Sequence, residues 1–309
     1  MCLDLFPRNL IKRCYHAEKM GEMMTAIAIV SMGEMGSGIA GLLVANGARV
    51  LTSLEGRSAA SVNRARAAGV EDVDDAKMIE QAELVLSIVP PLAARATSER
   101  FLSLIQRSKG KPLFLECNAI APQTVLELSK PFAESGLRFG DAGIIGLSPK
   151  KGGKSPRLYM SGPVQREADL LRSFGLDTRV LSDTLGDASA LKMAYAGINK
   201  GFQAIGTAMV LGAARNGVAD SLVAELKDSQ PEFHAWLSKK IPAMYSKAYR
   251  WDDEMREIAR FLEPEAGSVG MLTGAADLFN YIAAEFSKGP ESEVISALDK
   301  FAASLRVRT

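Results

Sequence analysis

The chain has 309 residues, 47% of them hydrophobic and 24% charged, which sets the scale at one large or two medium globular domains and excludes a disordered chain. Lys plus Arg total 37 against 36 Asp plus Glu, a net charge of +1, so the chain has no basic footprint for nucleic acid. No apolar run reaches the roughly 18 residues of a membrane span, and Cys2, Cys14 and Cys117, without CxxC spacing, point to a reducing, cytoplasmic setting.

Residues 1–24 read as a leader. They mix charges with scattered apolar residues and lack the apolar core of a secretory signal, which predicts a disordered tail or an upstream start. From Thr25 the pattern changes. Ala26 to Val30 is a short apolar, β-branched run, the mark of a buried parallel strand. A glycine turn follows, then a helix from about Gly36 to Asn46 that Gly47 ends. Arg49 to Leu54 reads as a second strand, and Ser58 caps a helix that stops before Gly69. Leu84 to Val89 and Leu113 to Cys117 are further buried strands. Pro122 opens a helix that Gly136 closes, and Arg138–Ile144 and Arg157–Met160 are strands again. This alternation predicts an α/β domain over 25–183: a parallel, doubly wound sheet with helices on both faces.

Past residue 183 the strand signals stop, which predicts an all-α domain over 184–309. Asp183 or Thr184 is placed to cap a helix from about Asp187 to Asn216, terminated by Gly217. Its many glycines and alanines suit a helix that other backbones or a ligand approach closely. A later helix over 248–262 shows an apolar face at Trp251, Met255, Ile258, Ala259 and Leu262.

The turn after the first strand is Ser31-Met32-Gly33-Glu34-Met35-Gly36. A dinucleotide fingerprint uses one glycine for the tight turn, one for close approach of backbone to pyrophosphate and one for helix–strand packing. Gly33 and Gly36 match the second and third, and Ser31 stands at the first. The turn has a strand before it, a helix after it and a second strand about 20 residues on, the required context. Phosphates would sit over the helix N-terminus. At the end of the second strand, Glu55 suits a ribose 2′-OH and hence NAD, whereas Arg57 and Ser58 suit a 2′-phosphate. The usual acidic position is Leu54, so NADP is favoured and NAD remains open. Val89, Pro90 and Asn118, at the ends of the next strands, complete the expected cofactor contacts.

With these residues in view the chain resembles the β-hydroxyacid dehydrogenases, the group of 3-hydroxyisobutyrate and 6-phosphogluconate dehydrogenases. It resembles most a branch with a C-terminal domain of unknown function, through Leu54-Glu55-Gly56-Arg57-Ser58, Asp141 to Gly146, Leu191-Lys192-Met193, and Arg250-Trp251 followed by Glu254-Met255. The resemblance implies a Rossmann-type fold, an NAD(P) cofactor, a small-molecule substrate held between the domains, and a homodimer. It places substrate contacts at Asn118, Gly143, Ile145, Gly146 and Arg250, and a catalytic lysine at Lys192. Where the family carries two asparagines beyond that lysine, this chain has Tyr195 and Ala196.

The chemistry then expected is hydride transfer between the cofactor and an alcohol or carbonyl, on a small or medium, carboxylate-bearing substrate. Reduction of a C=N bond is the runner-up, and an NADP(H) sensor without turnover is the non-enzymatic alternative. Only His16 and His234 are present, and with the cysteines they make no zinc spacing, so no metal is expected and proton transfer falls to another residue type. Lys192, Tyr195, Ala196, Asn199 and Gln203 share one helix face. A lysine partly desolvated beside a cleft has its charged form disfavoured, which suits an acid/base. Tyr195 is its rival, Asn199 or Asn118 its orienting partner, Arg250 a carboxylate clamp and Lys200 a solvated charge.

Overall fold

The computed structural model describes residues 25–149 and 153–306, so the leader expected over 1–24 lies outside the described residues. In the first half the elements run β1 Ala26–Val30, α1 Glu34–Ala45, β2 Arg49–Thr52, α2 Ala59–Ala68, β3 Glu71–Asp72, α3 Asp75–Gln81 and β4 Ala82–Ser87. Then come α4 Ala94–Arg107, β5 Leu113–Glu116, α5 Pro122–Glu134, β6 Phe139–Ile145, β7 Arg157–Ser161, α6 Gln165–Ser173 and β8 Asp177–Ser182. Helices follow: α7 Asp187–Arg215, α8 Ala219–Ser229, α9 Pro231–Met244, a 3₁₀ segment Tyr245–Arg250, α10 Trp251–Phe261, α11 Ala266–Ser287 and α12 Glu293–Ala303. No described helix is long and apolar enough to cross a membrane.

The eight strands form one sheet in the order β3-β2-β1-β4-β5-β6-β7-β8. Strand order reverses between β1 and β4, and such a switch point opens a crevice at the carboxyl ends of the strands. The expected doubly wound α/β sheet followed by helices is therefore present. One pairing corrects the expectation of a parallel sheet: β7 runs antiparallel to β6. Among the described residues no crossover helix separates them, and a parallel return needs one or a connection of similar length.

Alternation within the strands builds two cores. Ile27 and Ile29 of β1 face the layer containing α1 and α6, while Ala26, Ala28 and Val30 face α3, α4 and α5. In the second layer Phe101, Phe114, Phe132 and Phe139 pack with ring centroids 5.1–6.0 Å apart. A third core gathers Met193 and Ala196 of α7 with residues of α9, α10, α11 and α12. Close approach explains some of the glycines of α7: a Cβ at Gly206 would lie 2.4 Å from the Leu237 side chain.

Local caps fall where the sequence places them. The Ser58 hydroxyl accepts from Ser61 N, Gly69 and Gly136 adopt positive φ, and Pro122 opens α5. The start of α7 differs. Its N-cap is Gly186, at φ +99°, rather than Asp183 or Thr184; the N–H groups of Gly186 and Ser189 are taken by a carboxylate on β6, described below, and that of Ala188 by Ser161 Oγ.

Candidate active site

At the C-terminal end of β1 the chain turns through Ser31, whose φ of +79° is a left-handed conformation usual for glycine. This is the position of the fingerprint's first glycine. The other two positions behave as the fingerprint requires. A Cβ at Gly36 would lie 2.3 Å from the Ser31 carbonyl oxygen, so only glycine lets α1 sit this close to β1. At Gly33, the N-cap of α1, an added Cβ would meet nothing within 4 Å. No side chain caps these N–H groups, so the helix start is an open cradle for an anion. Met32 is buried and Met35 half-buried.

The turn is braced by a residue the sequence reading passed over. Arg64, on α2, donates from Nε to the Met32 carbonyl at 2.7 Å and from Nη2 to Ser61 Oγ at 3.1 Å. Through Ser61, which also bonds Ser58, it links the turn to the start of α2. Arg57 is half-buried, Glu55 is exposed, and Ser58 is occupied as the cap of α2. Leu54, at the usual acidic position, has its N–H held by Asp72 Oδ1 at 3.0 Å.

Next along the carboxyl edge, Asn118 is 3% exposed and its side chain is engaged internally. Its Oδ1 accepts from Val89 N at 2.6 Å, and its Nδ2 donates to Ser87 Oγ at 3.1 Å. Asn118 thus fixes the Val89-Pro90 segment against β5. Beside it, β-register aligns Ser87, Glu116, Asp141 and Ser161 in one buried polar row across four strands. Burial lifts the Glu116 carboxyl well above its ordinary range; the Asn118 N–H opposes this and the neighbouring Asp141 charge adds to it.

Asp141 seats the long helix. Its Oδ2 accepts from Gly186 N at 3.1 Å, Ser189 N at 3.0 Å and Ser161 Oγ at 2.9 Å, and its Oδ1 from Ser189 Oγ at 2.6 Å. Burial raises this carboxyl as well, against the pull of those donors. A carboxylate at a helix N-terminus also meets the positive end of the dipole. The seat is close: a Cβ at Gly143 would fall 2.8 Å from the Ala188 carbonyl and 2.9 Å from Lys192 Cβ. Gly143 is therefore the floor on which α7 rests, directly beneath Lys192. Ile145 is buried, Gly146 turns at φ +136°, and Leu147 is 83% exposed.

Lys192 points to a carboxylate on α10. Its Nζ lies 3.7 Å from Glu254 Oε1, while Lys200 Nζ is in direct contact with Glu254 Oε2 and sits 5.0 Å from the Trp251 ring centroid. All three charged side chains are largely buried, with relative exposures of 21%, 13% and 13% for Lys192, Lys200 and Glu254. This corrects the reading of Lys200 as a solvated charge. Burial lowers the pKa of its ammonium, and Glu254 resists that. Burial pushes Glu254 upward, but Lys200 and Lys192 together hold it below the ordinary carboxylate range.

The other members of the predicted polar stripe diverge. Tyr195 is 50% exposed, Asn199 Nδ2 donates back to the Tyr195 carbonyl, and Gln203 is buried with its amide on the Lys240 carbonyl. The structure shows no hydrogen bond between Asn199 and Lys192. Arg250 pairs with neither Asp253 nor Glu254; its Nη2 lies 3.8 Å from Glu34 Oε2, at the first residue of α1. His234 is buried against Phe301 and Ser304, in keeping with a core histidine.

The second helix start at the seam, that of α5, is filled by the protein itself. Glu257 Oε2 accepts from Ala121 N at 2.7 Å and Thr124 Oγ1 at 2.8 Å.

Comparison with known proteins agrees with this architecture. Residues 26–166 match the family described as the NAD binding domain of 6-phosphogluconate dehydrogenase, and residues 213–282 match a domain of unknown function, DUF1932. The chain is 32% identical over 127 residues to 3-hydroxyisobutyrate dehydrogenase of Pseudomonas aeruginosa, covering 40% of this chain and 41% of that protein. Among solved structures it is similar to a conserved protein of unknown function whose structure was found to resemble 3-hydroxyacid dehydrogenases. That likeness has a TM-score of 0.64 at 27% identity and covers 84% of this chain and 97% of the other. It shares the fold of an imine reductase variant from Myxococcus stipitatus solved with NAD+, at 16% identity and a TM-score of 0.55, covering 90% and 99% of the two chains.

Proposed function

The chain belongs to the proteins that join an NAD binding domain of the 6-phosphogluconate dehydrogenase type to the C-terminal domain DUF1932, and from that premise we propose an NADP(H)-dependent oxidoreductase. In this reading it interconverts an alcohol and a carbonyl on a small or medium, carboxylate-bearing substrate. Residues 25–183 serve as the nucleotide domain and 184–309 as the substrate and dimerisation domain. The observation that carries the reading is the placement of Lys192: it stands over Gly143 on β6, at the carboxyl side of the same sheet whose switch point holds the Gly33 cradle.

The residues fit a dinucleotide. Gly33 leaves room for close approach of a pyrophosphate, and the uncapped N–H groups of α1 would hold it. Ser31, Met32, Glu34, Met35 and Gly36 shape that turn. When bound, the nicotinamide supplies or accepts the hydride. In the reducing direction the carbonyl π pair moves onto oxygen as carbon takes the hydride. Lys192 gives a proton to that oxygen and recovers one from water. Asn118 acts indirectly, by fixing Val89 and Pro90. Gly143 is the floor beneath the lysine, and Ile145 and Gly146 would contact the substrate. Arg250, drawn to Glu34, is better placed for the cofactor's phosphates than for a substrate carboxylate.

A panel of small oxo acids, aldehydes and cyclic imines, each with NADPH and with NADH, tests this reading. Turnover of oxo acids or aldehydes supports it. Turnover of the imines alone replaces C=O with C=N chemistry, and cofactor binding without any turnover favours a sensor.

Two expectations follow for this reading. Arg57→Ala should weaken NADPH far more than NADH, because only NADPH carries the 2′-phosphate; a lost charge-assisted contact costs about 1.5–3 kcal/mol. Titration calorimetry with both cofactors checks it, and equal losses would remove Arg57 from the assignment.

The second expectation is a homodimer. Leu191, Tyr195, Ile198, Phe202, Ile205 and Met209 recur along α7 in steps of four and three and are 37–62% exposed. Beside them Met193, Gly197, Ile258, Phe261 and Met271 help line an apolar groove of about 360 Å³. An apolar seam of this spacing is what a partner helix covers. Light scattering at micromolar concentration should give twice the monomer mass, and Ile198→Glu should halve it. A wild-type monomer would contradict the proposal.

A further inference from the structure

Three charged side chains meet where α7 and α10 pack, and the two positive ones come from the same helix. Lys192 and Lys200 lie eight positions apart on α7, and both reach Glu254. Two ammonium groups therefore share one carboxylate. The sharing is unequal. Lys200 Nζ is in direct contact with Oε2 and is backed by the Trp251 ring, whereas Oε1 is buried without any hydrogen bond, 3.7 Å from Lys192 Nζ. A buried carboxylate oxygen without a hydrogen bond is costly, and the lysine ion-paired with it stands just beyond hydrogen-bond reach.

We propose that Glu254 is a positioning residue for the acid/base lysine: its Oε1 is reserved for Lys192 because Lys200 occupies Oε2, and it fixes where the Lys192 ammonium is presented to substrate. The inference rests on the reading of Lys192 as the proton-transfer residue. Glu254 touches neither cofactor nor substrate; it acts through Lys192. Lys200 keeps the carboxylate from turning away, and the Trp251 face keeps Lys200 in place. A lysine on a flexible four-carbon stem gains more from such an anchor than a short side chain would.

The test is steady-state kinetics with the best-turned-over member of the panel above, NADPH titration and thermal unfolding, on four variants. Glu254→Gln keeps the shape and removes the charge that anchors Lys192. It should lower kcat about 10²-fold, the usual penalty for a misplaced group, with KM and NADPH affinity unchanged. Glu254→Asp keeps the charge but draws it back, and should fall between wild type and Glu254→Gln. Lys192→Ala should abolish turnover, and Lys192→Ala combined with Glu254→Gln should be no slower than Lys192→Ala alone, because the two act as a unit. Glu254→Gln with wild-type kcat, or with KM, NADPH affinity and melting temperature all collapsing together, overturns the proposal. Should Glu254→Gln not fold, the lowered kcat at constant KM is read from Glu254→Asp. Lys192→Ala with undiminished kcat would instead overturn the lysine reading itself, which keeps the two failures distinct.

Discussion

Lys192→Ala is expected to remove turnover while leaving NADPH bound. In the proposed reading the cofactor's phosphates sit at Gly33 and the start of α1, whereas Lys192 lies on α7, beyond the crossover from the sheet. A group that acts only in the transition state lowers kcat and leaves ground-state cofactor affinity alone. General acid–base groups contribute about 10²–10⁴-fold, and the fall should be of that order. The fold should survive, because Glu254 keeps its contact with Lys200. Lys192→Arg should rescue little, since guanidinium does not give up its proton at working pH. Tyr195→Phe is the companion measurement: it removes the rival donor and keeps the ring. A dead Tyr195→Phe beside a merely slowed Lys192→Ala would reverse the two roles. If neither change matters while NADPH still binds, the protein senses the cofactor rather than uses it.

The second large effect is expected at the two glycines of the nucleotide turn, which should fail in different ways. In Gly36→Ala the new methyl meets a backbone oxygen at 2.3 Å, and backbone cannot swing aside as a side chain can. α1 must lift from β1 by roughly 1 Å to restore ordinary contact. Overpacking of this kind costs about 1–3 kcal/mol, and each kcal/mol lowers Tm by about 2–4 °C in a protein of this size class. Affinity for NADPH and NADH should fall together, since the helix start that would seat the phosphates has moved. In Gly33→Ala the methyl meets nothing and the backbone, at φ −65°, accommodates alanine. Its melting temperature should stay at the wild-type value while both cofactors bind weakly, because the methyl stands where the pyrophosphate must approach. Wild-type binding by Gly33→Ala would mean that the nucleotide lies elsewhere.

Much of this architecture is legible in the residues because local rules decide it. β1, the turn, α1, the Ser58 cap and the 29-residue α7 follow from β-branched runs, glycines and caps whose causes lie within a few positions. The antiparallel β7 turns on a short connection, but three other misreadings share one source, which is distance along the chain. β3 is two exposed acidic residues with no apolar signal, and it is a strand only because β2 lies beside it. The cap of α7 comes from Asp141, 45 residues before Gly186, and no local pattern announces it. Lys200 looks solvated on its own helix and is buried only because α10 brings Glu254 and Trp251 to it. One signal was available. On α10, Glu254 falls three residues after Trp251 and four before Ile258, within the apolar face, and a carboxylate in an apolar face needs a partner.

The two carboxylates at the seam work in opposite directions. Asp141, on the sheet, caps the first helix of the helical half, and Glu257, in the helical half, caps a helix of the sheet layer. Each half thus completes a helix terminus that the other leaves unsatisfied. The consequence is entropic. With α7 fastened to β6 by Asp141 and α10 fastened to α5 by Glu257, the two halves are ordered against each other before any ligand arrives. Free energy of association that a hinged protein would spend on closure stays available, in the proposed reading, to hold the ligand in register with Lys192.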